Sequence, residues 1–326
     1  MNPIIRFAVA ALSASLFVMS GIARAADDAA PATRIFFIGN SVTDQVSYDA
    51  FAAIAKDHGH PVEYGRHMIP GAPLVWLWTH EDGFKGKYGS GREALANYQW
   101  DVITLQPFDR GLHDGTADKP EGDLDICQLY INTAKPRSPD AQVYIYERWP
   151  RICKNGRGFN FDKDAYKDAT GQIDLRKVDG VDDFSKLWSR TYGLRKWDGS
   201  EESRDYFEKL TLALRKQNPD MKKTVKLIPV GDVMNELHQM MQAGKVPGYT
   251  SIFQMYADGI HLNETGRYIV GCTFYATIFK ADPHGLPSEP YKVKDTSIVP
   301  VIQDVVWKTV QENKLAGIAT DPTTHP

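Results

Sequence analysis

Cysteine is scarce in this chain, with three in 326 residues: Cys127, Cys153 and Cys272. That is too few for a disulfide scaffold. None has a second cysteine or a close histidine at metal-ligand spacing, so no metal site is expected. An excess of one charge is also lacking. With 38 basic and 41 acidic residues the formal net charge is −3, which gives no reason to expect nucleic acid or an anionic membrane as partner. Beyond the first two dozen residues no apolar run approaches the ~20 residues a membrane span needs. There is no sequence repeat, and no low-complexity tract beyond the polar tail Thr320–Pro326.

What is present is ordinary for a globular protein: 42% hydrophobic and 24% charged residues. The N-terminus reads as a signal peptide over residues 1–25. Met1–Arg6 is positively charged, Phe7–Val18 is apolar or small, and Ala23-Arg24-Ala25 fits a small-x-small cleavage site. The expectation is an exported, periplasmic or secreted protein with no membrane insertion after cleavage. In such a compartment three cysteines suggest one bridge and one core thiol. Cys272, in the apolar run Tyr268–Phe279, reads as core, and whether Cys127 and Cys153 are bridged stays open.

Strand-like and helix-like segments alternate about five times. Strands are expected at 34–38, 61–67, 102–105, 142–146 and 225–230, with helices between and after them, ending at 263–279 and 298–311. That alternation predicts an α/β fold, a parallel sheet covered by helices on both faces. Residues 26–326 form one domain on this reading. An insertion is expected at about 150–200, where Trp188, Tyr192 and Trp197 stand among Gly, Asp and Lys. A C-terminal helical extension is expected at about 282–326.

Two short segments carry the chemistry. Ile35-Phe36-Phe37-Ile38-Gly39-Asn40-Ser41 reads as a buried strand that delivers a serine to the rim of the sheet. Asp258-Gly259-Ile260-His261 places a carboxylate three residues before a histidine, ahead of a helix. A serine hydroxyl becomes a competent nucleophile when a base accepts its proton and a carboxylate orients that base. Ser41, His261 and Asp258 supply the three parts. The plainer alternatives are a helix cap at Asn40-Ser41 and a loop aspartate at 258. Of the other histidines, His80, His113 and His238 read as surface or core residues.

With these motifs in order, the chain resembles the SGNH (GDSL-like) hydrolases. Gly39-Asn40-Ser41 is similar to that family's first block and Asp258-Gly-Ile-His261 to its last, over about residues 34–280. The resemblance implies a flavodoxin-like three-layer α/β/α sandwich with a mostly parallel five-stranded sheet. It also implies cofactor-free cleavage of small-molecule or polysaccharide esters, often acetyl groups on carbohydrate. Gly71 then corresponds to the second-block glycine, and the backbone amides of Ser41 and Gly71 are expected in the oxyanion hole. The family's third block supplies an asparagine, whereas this chain has Leu105-Gln106-Pro107-Phe108-Asp109. Gln106, with the same carboxamide on a longer arm, is the candidate third donor. Arg110, Arg148 and Trp149, with Trp76, Trp78 and Phe108, are candidate substrate contacts, or packing residues. Competing activities are a lipase or thioesterase and a catalytically silent carbohydrate-binding protein.

Overall fold

Thr33–Gly39 (β1) is nearly continuous in apolar residues, the pattern of a strand covered on both faces. Ile35, Phe36, Phe37 and Ile38 are all completely buried. The computed structural model describes residues 31–318 apart from 159–163, 170–172, 175–176, 178 and 194–198. The expected signal peptide, the polar tail and Trp197 lie outside the described residues.

The remaining strands are β2 (Val62–Met68), β3 (Phe84–Lys85), β4 (Val102–Leu105), β5 (Gln142–Glu147), β6 (Cys153–Lys154), β7 (Arg157–Gly158) and β8 (Lys226–Pro229). The α-helices are α1 (Tyr48–Asp57), α2 (Leu74–Thr79), α3 (Gly91–Asn97), α4 (Asp123–Ala134), α5 (Phe184–Trp188), α6 (Arg204–Gln217), α7 (Val230–Gln242), α8 (Glu264–Phe279) and α9 (Val299–Glu312). The main sheet runs β3-β2-β1-β4-β5-β8. The five expected strands are all parallel. The sixth, β3, is a two-residue antiparallel addition at the edge of β2, and both its residues are exposed. Without β3 the order is that of a flavodoxin-like sheet, with the order reversing beside β1.

Helices α1, α7, α8 and α9 pack on one another in one layer, and α2, α3, α4 and α6 in the other. Successive residues of β1 serve the two layers. Phe36 meets Trp100 on one side (centroids 4.9 Å apart), while Phe37 meets Tyr48 and Phe274 on the other (4.9 and 6.1 Å). The described residues belong to one compact unit. Within the expected insertion, β6 and β7 form a hairpin and α5 buries Phe184, Leu187 and Trp188. In the expected extension, α9 packs on α7 and α8.

The cysteine question is answered against a bridge. Cys127 on α4 and Cys153 on β6 are both free and buried, as is Cys272 in α8. Burial pushes all three thiols above the ordinary value, which makes them packing groups and not nucleophiles.

Phe274 sits where the α8 layer meets the sheet, edge-on to Tyr146 (4.8 Å) and Phe51 (6.2 Å). Phe274→Ala is expected to cost about 3–5 kcal/mol, the range for emptying a rigid aromatic site. Urea unfolding checks this, read as a lower midpoint at an unchanged slope.

Candidate active site

The chain leaves β1 through Gly39, where only a glycine fits. A Cβ there would meet Thr43 Oγ1 at 2.0 Å and Gln106 Cβ at 2.8 Å. Asn40, fully buried, then forms the turn. Its Oδ1 accepts from the Val42 amide (2.9 Å), and its Nδ2 donates to Ala72 O (3.0 Å). Ser41 is therefore turned out at the carboxyl end of β1, beside the reversal of strand order where such sheets gather ligands. It is not a cap of the following helix, since α1 starts only at Tyr48 after Ser47.

The second segment is held just as tightly. Asp258 Oδ1 accepts from the amides of Ile260 (2.8 Å) and His261 (2.7 Å), closing a three-residue loop. Asp258 Oδ2 lies 2.7 Å from His261 Nδ1, and His261 Nε2 lies 2.8 Å from Ser41 Oγ. Burial opposes ionisation of Asp258. The imidazole and the two amides outweigh it and hold the carboxyl below its ordinary value. A charged carboxylate at Nδ1 selects the tautomer protonated there, which leaves Nε2 to accept the serine proton.

Sequence reasoning missed the braces around this pair. Gln45 Nε2 donates to Ser41 O (3.0 Å) while its Oε1 accepts from the Leu262 amide (2.9 Å), clipping the two segments together. Ile152 N donates to Gly259 O (2.8 Å), and Trp149 Nε1 donates to Ile260 O (2.7 Å). Trp149 and Ile152 lie more than a hundred positions from the loop they hold, and Gln45, four residues after Ser41, carries no recognisable motif.

Three expectations are corrected. Gln106 is fully buried and its carboxamide is committed: Oε1 accepts from Asn40 N (3.1 Å) and Thr43 Oγ1 (3.0 Å), and Nε2 donates to Pro107 O (2.7 Å). It supports the serine turn from below and is not presented to a substrate oxyanion. Arg148 is also fully buried, paired with Glu202 (3.0 Å) and Asp109 (3.7 Å) and stacked 4.6 Å from the Phe108 ring centroid. Trp149 is equally buried behind the histidine loop. Neither side chain can touch a substrate.

The other candidates are placed as follows. Gly71 adopts φ +67° with nothing within 4 Å of a Cβ position, so backbone conformation and not crowding calls for glycine. Among the described residues, neither the Ser41 amide nor the Gly71 amide donates to another protein atom. Arg110 is half-buried, with Nη1 donating to Asp109 O (2.8 Å) and Nε 3.9 Å from Glu121. Trp76 is 49% exposed and stacks on His80 (3.8 Å). Trp78 is half-buried, edge-on to Tyr130 (4.9 Å). His238 pairs with Asp183 (3.0 Å). Among the described residues no cluster of three His, Cys, Asp or Glu side chains is placed to hold a metal ion.

No family model matches the chain, and no curated protein does. Solved structures do. A DUF4886 family protein from Bacteroides uniformis is 15% identical with a TM-score of 0.50, over 86% of this chain and 96% of that one. The periplasmic domain of a lipopolysaccharide acetyltransferase from Salmonella ser. Paratyphi A is 18% identical (TM-score 0.41, 76% and 84% covered). A candidate GDSL-like lipase from Parabacteroides merdae is 13% identical (TM-score 0.37, 78% and 96% covered). At 15% identity the likeness to the Bacteroides uniformis protein is one of fold alone.

Glu202 holds the strap Arg148–Ile152 in place through Arg148 (3.0 Å) and the Arg151 amide (2.8 Å). Burial opposes its charge, but Arg148 and Arg151 hold its carboxyl below the ordinary value. A lowered folded value means that the unfolded chain takes up the proton first. This contribution is complete above about pH 5 and is lost as pH falls through the folded value. Glu202→Ala leaves Arg148 buried without its nearer carboxylate. A loss of about 3–5 kcal/mol at pH 7 is expected. Thermal unfolding from pH 3 to 7 checks it: the gap between the two proteins should narrow in acid.

Proposed function

We propose that this protein is an exported serine esterase of the SGNH type, which hydrolyses carboxylic esters and takes O-acetyl groups on carbohydrate as its substrate class. The observation that carries the activity is the unbroken line from the Asp258 carboxylate through the His261 imidazole to the Ser41 hydroxyl, at 2.7 and 2.8 Å.

In this mechanism Ser41 Oγ attacks the acyl carbon as its proton passes to His261 Nε2. Asp258 stabilises the imidazolium that forms. The amides of Ser41 and Gly71 donate to the oxyanion, and losing one such donor costs ~3 kcal/mol in related chemistry. His261 returns the proton to the leaving alcohol. Water, deprotonated by the same imidazole, then opens the acyl-enzyme and releases the acid. No cofactor takes part.

The carbohydrate preference rests on the sequence resemblance together with export. Export rests on the N-terminal pattern. No helix among the described residues is long and apolar enough to cross a membrane.

Ser41→Ala and His261→Ala are each expected to lower kcat for p-nitrophenyl acetate by at least ~10³-fold with an unchanged circular dichroism spectrum. Wild-type turnover by Ser41→Ala would end the esterase reading. Acetate release from acetylated polysaccharide should exceed hydrolysis of long-chain p-nitrophenyl esters. The reverse order assigns the enzyme to acyl-chain substrates.

A further inference from the structure

The end of the sheet opposite Ser41 holds an unusual concentration of positive charge. Thr33, Val102, Gln142 and Lys226, at the starts of β1, β4, β5 and β8, line a cavity of about 690 Å³. Strand β1 separates it from Ser41 by roughly 20 Å, given ~3.3 Å per residue. Arg215, Lys222, Lys223, Lys280 and Lys314 also line it. Among the described residues lining it the one carboxylate is Asp101, whose Oδ2 accepts from the Arg34 amide (2.8 Å).

Two of these cations are satisfied within the protein. Lys222 pairs with Asp140 (2.7 Å), and Arg215 donates to Val225 O (2.7 Å) and Leu315 O (3.2 Å). Lys226 is different. It shares the cavity wall with Lys280, and among the described residues neither is paired with a carboxylate. The chain at Gly317 (φ +74°) passes directly over it, since a Cβ there would lie 2.8 Å from Lys226 Nζ. Burial first, then Lys280, Arg215 and Lys223, push the Lys226 ammonium down to about 8. Cations gathered on one wall with a single carboxylate among them repel one another unless an anion stands between them.

We infer that this cavity binds a multivalent oxyanion, a phosphate or sulfate group held between Lys226 and Lys280. A tetrahedral oxyanion offers acceptors in several directions to two flexible point charges, where a planar carboxylate is better met by an arginine fork. The volume leaves room for more than the ion, so the group arrives either free or as the ester of a small molecule.

Isothermal titration calorimetry with inorganic phosphate tests this, at fixed ionic strength with chloride as the balancing anion. One saturable site is expected, weakened about tenfold by Lys226→Gln and by Lys280→Gln. Lys280 is exposed, so its substitution keeps the test available even if Lys226→Gln fails to fold. An anion beside Lys226 raises its pKa. Binding of sulfate, which does not itself titrate in this range, should therefore take up protons at pH 8, read from heats in two buffers. Lys280, Arg215, Lys223, Lys222, Lys314 and Asp101 are the other charged groups facing Lys226 in this cavity. Glucose 6-phosphate binding more tightly than phosphate assigns a phosphorylated small molecule, and equal affinity assigns the free ion. Hydrolysis of p-nitrophenyl acetate should be unchanged in both variants. Absence of saturable binding, or equal affinity in the wild type and the double variant, overturns the site.

Discussion

A contact of 2.8 Å between Ser41 Oγ and His261 Nε2 joins residues 220 positions apart. Such a contact tolerates an error of only a few tenths of an ångström before it stops being a hydrogen bond. Two loops cannot meet that tolerance through their own propensities. Each must be tied to the rigid sheet, and then to the other, and the structure does both.

The serine turn is tied downward by Asn40 and Gln106, whose buried carboxamides bond to the backbone around it. The histidine loop is tied from behind by Trp149 and Ile152. That strap in turn rests on the Arg148–Glu202–Arg151 cluster, with Asp109 on its flank. Gln45 then spans the two loops directly. Buried polar groups of this kind are costly unless fully paired, so they favour one arrangement over near alternatives. Gly39 adds a steric condition, because any side chain there would displace Thr43 and Gln106 together.

Much of the architecture was legible because its signals are local. Val102–Leu105 is a compact apolar run bounded by Asp101 and Pro107, and its strand has the expected limits. The short edge strand β3 left no trace because two exposed residues carry no periodicity. The Asp258–His261–Ser41 line was legible because Asp258 and His261 share one loop and Ser41 closes an apolar run. Gln106, Arg148 and Trp149 were misplaced for a single reason. Proximity to the carboxyl ends of strands says which residues are near the site, not which way they point. Their direction is decided by partners far along the chain: the Asn40 amide for Gln106, Glu202 for Arg148 and Ile260 O for Trp149. The free thiols follow the same logic, since Cys127 is drawn into the α4 core and Cys153 into a hairpin.

The central claim is that Ser41 is made nucleophilic by His261. Reaction of the purified protein with a fluorophosphonate, followed by mass spectrometry of the peptides, tests it most directly. The account predicts one adduct per chain, on the hydroxyl of residue 41, formed far more slowly in the His261→Ala protein. An unmodified Ser41, or labelling at the same rate without the imidazole, would contradict it.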